Sequence, residues 1–221
     1  MCGNRSTLNG FVPNRSHYDA EYVGATRVFS YAHVLAAVNT LHPRTVLEIG
    51  VGTGIVSDAL RRLGIAVTTV DVEPSVCPDV LADVRRMPFE DQSFDVAVCC
   101  QVLEHLPFED FGDALRELRR VTRGQLVLSL PDQDRYFELT VRLPKLGCRT
   151  VAWSLPRLRP RPLPPARFAE MGHHWEIGVR GTPRRRVLGT IIAAGSRVQR
   201  TWRVPELPWH RFFVLERVGN G

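Results

Sequence analysis

Val46-Leu47-Glu48-Ile49-Gly50-Val51-Gly52-Thr53-Gly54 decides the fold. Thr45 to Ile49 is a short apolar run and reads as a buried strand, while Ile55 to Leu63, stopped by Gly64, reads as a helix. The glycines fall where strand hands over to helix. A Cβ there would hold a ligand away from the backbone, and the helix start turns unpaired N–H groups toward it. Working outward, Ala66 to Val70 is a second strand ending on Asp71, followed by strands at Val80–Ala82, Phe94–Cys100 and Leu126–Leu130. A helix over Phe111–Val121 separates the last two. Upstream, Arg27 to Leu41 places Val28, Tyr31, Leu35, Val38 and Leu41 at helical spacing, closed by His42-Pro43. Strands alternating with helices specify an α/β protein with a parallel, Rossmann-like doubly wound sheet.

Beyond Leu130 the pattern breaks. Pro131 to Trp175 is rich in proline and arginine, as in Leu155-Pro156-Arg157-Leu158-Arg159-Pro160-Arg161-Pro162, and keeps no clean period. Thr182-Pro183 then reads as an N-cap with proline at the first helical position of a helix running to Ala194. Arg200–Val204 and Phe212–Val218 read as two closing strands joined by a turn over residues 205–211. The expected organisation is one domain over residues 1–221 with a lid-like insert at 132–176.

The 221 residues suffice for one full core, and 44% hydrophobic with 24% charged residues excludes disorder, collagen-like repeats and coiled coils. The net charge is +6, and Lys145 is the single lysine, so the basic character is almost wholly arginine. No block of like charge is long enough to mark a nucleic-acid tail. Five cysteines without a CxxC pair favour reduced thiols and a cytoplasmic protein, and no ligand set at recognisable spacing marks a metal site. No signal-peptide core and no run of about 18 apolar residues is present, which predicts a chain neither exported by that route nor membrane-spanning.

Asp71 ends the strand after the glycine turn, where a carboxylate can accept hydrogen bonds from the two hydroxyls of a ribose. Turn and acid together indicate an adenosine-containing cofactor. A dinucleotide turn requires Gly-x-Gly-x-x-Gly, but Ile55 stands at the third glycine position, and Glu48 would repel a pyrophosphate. S-adenosylmethionine carries no phosphate. Its sulfonium and ammonium charges make an acid at that strand end favourable.

The succession Val46–Gly54, Val70-Asp71-Val72-Glu73-Pro74, Asp83 through Met87-Pro88-Phe89, Ser93-Phe94-Asp95-Val96 and Val102-Leu103-Glu104-His105-Leu106 resembles the motifs of class I S-adenosylmethionine-dependent methyltransferases, over residues 45 to 131. The resemblance is closest to the broad branch of ubiquinone/menaquinone-type and small-molecule enzymes. It implies a seven-stranded, mostly parallel sheet with an antiparallel last strand, and S-adenosylmethionine as cofactor, leaving S-adenosylhomocysteine. It also implies roles. Gly50, Gly52 and Gly54 would pass beside the methionine part, with Glu48 anchoring the turn or reaching the ammonium through water. Asp71 would hold the ribose and Val72 would face the adenine. Asp83 would accept from the adenine amino group, the Val84 N–H would donate to a ring nitrogen, and Gln101 would line the methyl-donor end. Two departures stand out: Glu73 to Asp79 is too short and proline-broken for the usual helix, and Thr122-Arg123-Gly124-Gln125 replaces the usual Pro-Gly-Gly turn.

Methyl transfer requires the acceptor atom in line with the departing sulfur, and a base only where the acceptor must lose a proton. His105 is a candidate base or a capping residue. In Gly172-His173-His174-Trp175-Glu176 at most one histidine, with His174 the choice, is expected to face the site, and His210 is the third candidate. Tyr136, Phe137, Trp153 and Phe168 could wall an apolar pocket or simply pack the insert. The expected function is O-methylation of a small molecule of apolar or anionic character. RNA or DNA methylation, and a non-catalytic binding or regulatory role, are the alternatives. Against nucleic acid, Gln101-Val102-Leu103-Glu104 replaces the Asn/Asp-Pro-Pro-aromatic run of adenine amino-group methylation, and no binding module is appended. The insert, with Leu143, Leu146, Trp153, Leu155 and Leu158, could also rest on an anionic membrane. The oligomeric state is not legible.

Overall fold

The computed structural model describes residue 18 and residues 22–143, 147–155 and 171–218. The segments Met1–Pro13 and 156–170, with Leu158, Phe168, Arg157, Arg159, Arg161 and Arg167, lie outside the described residues, as does Leu146. Helix α1 (Ala25–Leu41) precedes β1 (Thr45–Ile49), α2 (Ile55–Arg62), β2 (Ala66–Asp71) and β3 (Val80–Leu81). β4 (Val96–Cys100), α3 (Phe108–Val121), β5 (Leu126–Pro131), β6 (Arg135–Leu143) and β7 (Gly147–Leu155) follow. The described chain closes with α4 (Arg184–Ala193), β8 (Ser196–Val204) and β9 (Leu207–Arg217).

Seven strands make one sheet in the order β3-β2-β1-β4-β5-β9-β8. The first five are mutually parallel, and β9 runs antiparallel to both of its neighbours, β5 and β8. This is the doubly wound sheet with an antiparallel last strand that the sequence predicts. Side chains of the central strands alternate between two faces. Leu47, Ile49, Ala97, Cys99, Leu126 and Leu128 pack against Phe111, Leu115 and Leu118 of α3 and Val187 and Ile191 of α4. Val46, Val96, Val98, Val127 and Phe212 pack against Val34, Ala37 and Val38 of α1 and Val56 and Leu60 of α2. Glu48 alternates onto this second face, so a carboxyl group is carried into the interior.

Several expectations are corrected. On α1 the buried residues are Ser30, Val34, Ala37 and Val38, while Val28 is exposed. The N-cap of α4 is Pro183, because the Thr182 hydroxyl donates instead to the Glu176 carbonyl. The turn between the last strands is Pro205-Glu206 alone, and Trp209 and His210 belong to β9, with His210 opposite Pro131. The expected irregular insert contains a regular antiparallel hairpin, β6–β7, pairing Arg135–Leu143 with Gly147–Leu155. At the far end of that segment Trp175, Glu176 and Ile177 are buried. Phe137-Glu138-Leu139-Thr140-Val141-Arg142-Leu143 alternates strictly, a local strand signal that the proline- and arginine-rich flank obscured.

Where β5 ends, Asp132 is buried and ion-paired to both Arg203 of β8 and Arg211 of β9. Its N–H donates to the Trp209 carbonyl at 2.8 Å, so this residue fixes the carboxyl edge of the sheet against the last hairpin. Asp132→Ala leaves two buried guanidinium groups without their carboxylate and is expected to lower the unfolding free energy by about 3–5 kcal/mol, read by urea denaturation.

Candidate functional site

Strand order reverses between β1 and β4, and in doubly wound sheets ligands bind in the crevice such a reversal opens. A cavity of about 390 Å³ occupies that place, within the range of small-ligand sites. Glu48, Gly50, Gly52, Asp71, Val72, Asp83, Val84 and Gln101 all line it, as do His105, His174 and His210. Gly54, expected with them, faces the neighbouring surface hollow instead.

The glycine turn is held by backbone bonds. The Gly50 N–H donates to the Val70 carbonyl, and the Val51 N–H donates to Asp71 Oδ2, both at 2.9 Å. Asp71 Oδ1 accepts from the Glu73 N–H, so one carboxylate ties the turn after β1 to the chain leaving β2. Burial pushes the Asp71 carboxyl up, and these backbone donors act against it. Gly50 has φ +82°, and a Cβ there would stand 2.3 Å from Val102 Cγ2. At Gly52 a Cβ would stand 3.4 Å from the ring of Tyr18, which covers the turn.

Glu48 lies at the floor, where burial pushes its carboxyl up to about 8. Asp83 is bound by Arg85, whose guanidinium and backbone N–H both donate to it. Burial opposes ionisation of Asp83, but Arg85 outweighs it and the pKa falls below the usual carboxylate range. Gln101 holds φ 58°, a left-handed conformation rare outside glycine, and its amide donates to Ser129 Oγ at 3.1 Å.

The three histidines differ. His105 Nδ1 lies 3.0 Å from the Gly172 carbonyl, and the His174 N–H donates to the Glu104 carbonyl, which sets both at the mouth beside Leu106 and Pro107. His210 is buried, with Nδ1 2.8 Å from Ser30 Oγ, and burial with the nearby Arg27 and His173 pushes it down to about 3. It is therefore neutral throughout the physiological range.

Sequence reading missed the cover. Tyr18, Tyr22, Arg27 and Tyr31 line the cavity, Tyr18 and Tyr22 meet edge to face at 4.9 Å, and the Arg27 guanidinium sits 4.0 Å over Tyr22. The spacing of these residues was the available signal, but they stand in and beside a polar lead-in and pointed to no motif. Tyr136, Phe137 and Trp153, read as walling an apolar pocket or packing the insert, do not line the cavity: Phe137 and Trp153 stack on each other on an exposed hairpin face.

Comparison with known proteins agrees with this geometry. Residues 47–128 match the model of a methyltransferase domain. A ubiquinone biosynthesis O-methyltransferase of Xanthomonas oryzae pv. oryzae is 32% identical over 130 residues, 51% of this chain and 52% of that protein. The chain thus spans about half the length of the curated relatives it matches. Among solved structures, a Burkholderia thailandensis 1,6-didemethyltoxoflavin-N1-methyltransferase with bound 1,6-didemethyltoxoflavin and S-adenosylhomocysteine superposes with TM-score 0.57 at 17% identity, covering 92% of this chain and 86% of that one. A magnesium protoporphyrin IX methyltransferase from Synechocystis PCC 6803 with bound SAM superposes with TM-score 0.56 at 16% identity, covering 95% and 86%.

Two outcomes follow. Gly50→Ala forces a side chain into Val102 at a left-handed position and is expected to cost about 2 kcal/mol or more in urea unfolding. Glu48 keeps in the folded state a proton that the unfolded chain releases near its ordinary pKa. Its contribution is therefore full below pH 4.5 and is lost as pH rises to about 8. In thermal melts without ligand, Glu48→Gln should gain on the parent from pH 5 to about pH 8 and hold a constant advantage above that.

Proposed function

We propose that the chain, whose residues 47–128 match the model of a methyltransferase domain, transfers the methyl group of S-adenosylmethionine to an oxygen of a small, largely apolar molecule. The supporting observation is convergence: all but one of the cofactor residues implied by the sequence, and all three histidines, line one cavity at the strand crossover. Asp71 holds the ribose with lone pairs beyond those given to Val51 and Glu73. Val72 and Val84 bracket the adenine, and Asp83 accepts from its amino group. Glu48, Gly50, Gly52 and Gln101 surround the methionine portion. His105, His174 and His210 bound the part of the cavity where the sulfonium end would lie.

There the protein's contribution is position and exclusion of water. Tyr18 and Tyr22 cover the donor, and the acceptor's oxygen attacks the methyl carbon as the carbon–sulfur bond breaks. The proton of the acceptor hydroxyl leaves to the His105–His174 pair at the mouth, because His210 is too weak a base to take it. Oxygen is favoured as the acceptor atom by the matched relatives, which are named O-methyltransferases. A chamber covered by two tyrosines suits a free small molecule better than a base in a polynucleotide.

The hairpin supplies a second element. Phe137, Leu139, Val141, Val151, Trp153 and Leu155 are exposed on one face, with Arg135 and Arg149 at its two ends. Such a face suits peripheral contact with an anionic lipid surface in which an apolar acceptor is dissolved. Sedimentation with vesicles containing phosphatidylglycerol should be lost in Leu139→Glu/Trp153→Glu; equal sedimentation of parent and variant removes this contact.

The cofactor assignment is tested by calorimetric titration. Asp71→Ala and Gly52→Val should each weaken S-adenosylmethionine binding at least about tenfold, a loss of roughly 1.4 kcal/mol. Undiminished binding in both overturns it. Incubation of the chain with labelled donor and a cell extract, followed by identification of the labelled product, identifies the acceptor.

A further inference from the structure

Behind the wall that His105 contributes to the cavity lies a buried polar cluster that the transfer reaction, as described, does not use. Glu104 is fully buried, and neither of its carboxylate oxygens has a hydrogen-bond partner. The His173 ring, nearly as buried, stands with Nε2 4.0 Å from Glu104 Oε1. Its other nitrogen, Nδ1, is 2.9 Å from Glu176 Oε1. Glu176 in turn accepts on Oε2 from Gln133 Nε2 at 2.7 Å and from Trp209 Nε1 at 3.2 Å. With Gln133 and Trp209 donating to its other oxygen, Glu176 accepts a hydrogen bond from the His173 Nδ1–H, which leaves the lone pair of His173 on Nε2, facing Glu104. His105 packs edge to face on His173 at 4.9 Å, and its Nδ1 donates to the Gly172 carbonyl, which puts its lone pair on Nε2 as well.

The Glu104 carboxyl and the His173 Nε2 thus face each other across 4.0 Å in the interior. An unpaired buried carboxylate is costly, and this gap is too long for a shared proton, which needs roughly 2.6–3.2 Å between heavy atoms. An oxygen and a nitrogen bound to one cation at about 2.0–2.2 Å stand roughly 3–3.5 Å apart at tetrahedral or octahedral angles, so this gap has to close by only about 0.5–1 Å to hold an ion. One donor atom from each of Glu104, His105 and His173 lies within 4.8 Å of the other two, so modest side-chain rotation brings all three to one ion. The Glu176–His173 contact is the outer-sphere carboxylate that commonly orients a metal-bound imidazole.

We propose that Glu104, His105 and His173 form a binding site for a first-row divalent cation, such as zinc, manganese or iron(II), at the acceptor end of the cavity. Two imidazoles and one carboxylate favour such ions over magnesium or calcium, and three protein ligands leave coordination positions open. No local spacing marks this set, because its third member lies 68 positions beyond the second. The ion's use rests on the transferase reading. Its charge would hold the acceptor oxygen and favour loss of its proton, with His174 taking that proton while His105 serves as a ligand. The acceptor class that fits is a phenol or enol with a second oxygen beside the reacting one.

The test uses the full chain, stripped with a chelator and dialysed against micromolar Zn²⁺ or Co²⁺ without any methyl donor. About one ion per chain by elemental analysis, with visible Co²⁺ absorption, is expected; Glu104→Gln and His173→Ala should each reduce occupancy at least about tenfold. Binding of S-adenosylmethionine, measured separately, should persist in Glu104→Gln and shows that this variant is folded. Occupancy below about 0.1 per chain, or equal occupancy in parent and both variants, overturns the site and leaves a His173–Glu pair bridged by protons alone. Cation uptake without S-adenosylmethionine binding supports the site and removes its use in transfer.

Discussion

The cavity depends on one carboxylate. Asp71, at the end of β2, accepts from the Val51 N–H on one oxygen and the Glu73 N–H on the other, and so clamps the turn after β1 to the chain leaving β2. That clamp holds Gly50 and Gly52 with positive φ and keeps the backbone of the turn open to a ligand. Everything else about the site follows from where the clamp lies: beside the reversal of strand order, with β4 delivering Gln101 and His105 on the other side.

Around this point the interior is set up for cationic partners. Burial holds Glu48 up to about 8 and Glu104 up to about 7, and neither carboxyl has a full set of hydrogen-bond partners. Buried acids of this kind cost stability while they are unpaired, and they recover it when positive charge arrives. His210, pushed down to about 3, contributes the opposite bias as a neutral polar wall. A phosphate-bearing cofactor finds no such welcome at Glu48. The same electrostatics that disfavour a dinucleotide in the sequence are visible in the fold as a buried acid, Glu48, whose ionised form a cationic partner stabilises and a phosphate does not.

How much was legible in the chain depended on range. β1, the glycine turn and Asp71 are local signals, and the residues they nominate meet in space. The helix faces and the last turn were read less well. Ser30 is buried on α1 because it meets His210, a partner 180 positions away, and Trp209-His210 extends a strand because Asp132 and Arg211 lock it to β5. The hairpin β6–β7 was legible too: Phe137, Leu139, Val141 and Leu143 alternate with Glu138, Thr140 and Arg142, a local strand signal overshadowed by the proline- and arginine-rich residues that follow it. Tyr18 and Tyr22 carry no motif; only the folded geometry shows them closing over the glycine turn. The Glu104–His105–His173 cluster likewise joins two distant segments, which no spacing rule could have brought together.

The account stands or falls on the character of the ligand at Glu48 and Asp71. The most direct measurement is a calorimetric comparison of S-adenosylmethionine and NAD⁺ at pH 7, each repeated in two buffers of different ionisation enthalpy. Because Glu48 is largely protonated in the empty site, a sulfonium or ammonium placed near it pulls its pKa down. S-adenosylmethionine should therefore bind with proton release, while NAD⁺ shows no saturable heat. Saturable binding of NAD⁺ in preference to S-adenosylmethionine, or S-adenosylmethionine binding with proton uptake, would contradict the account.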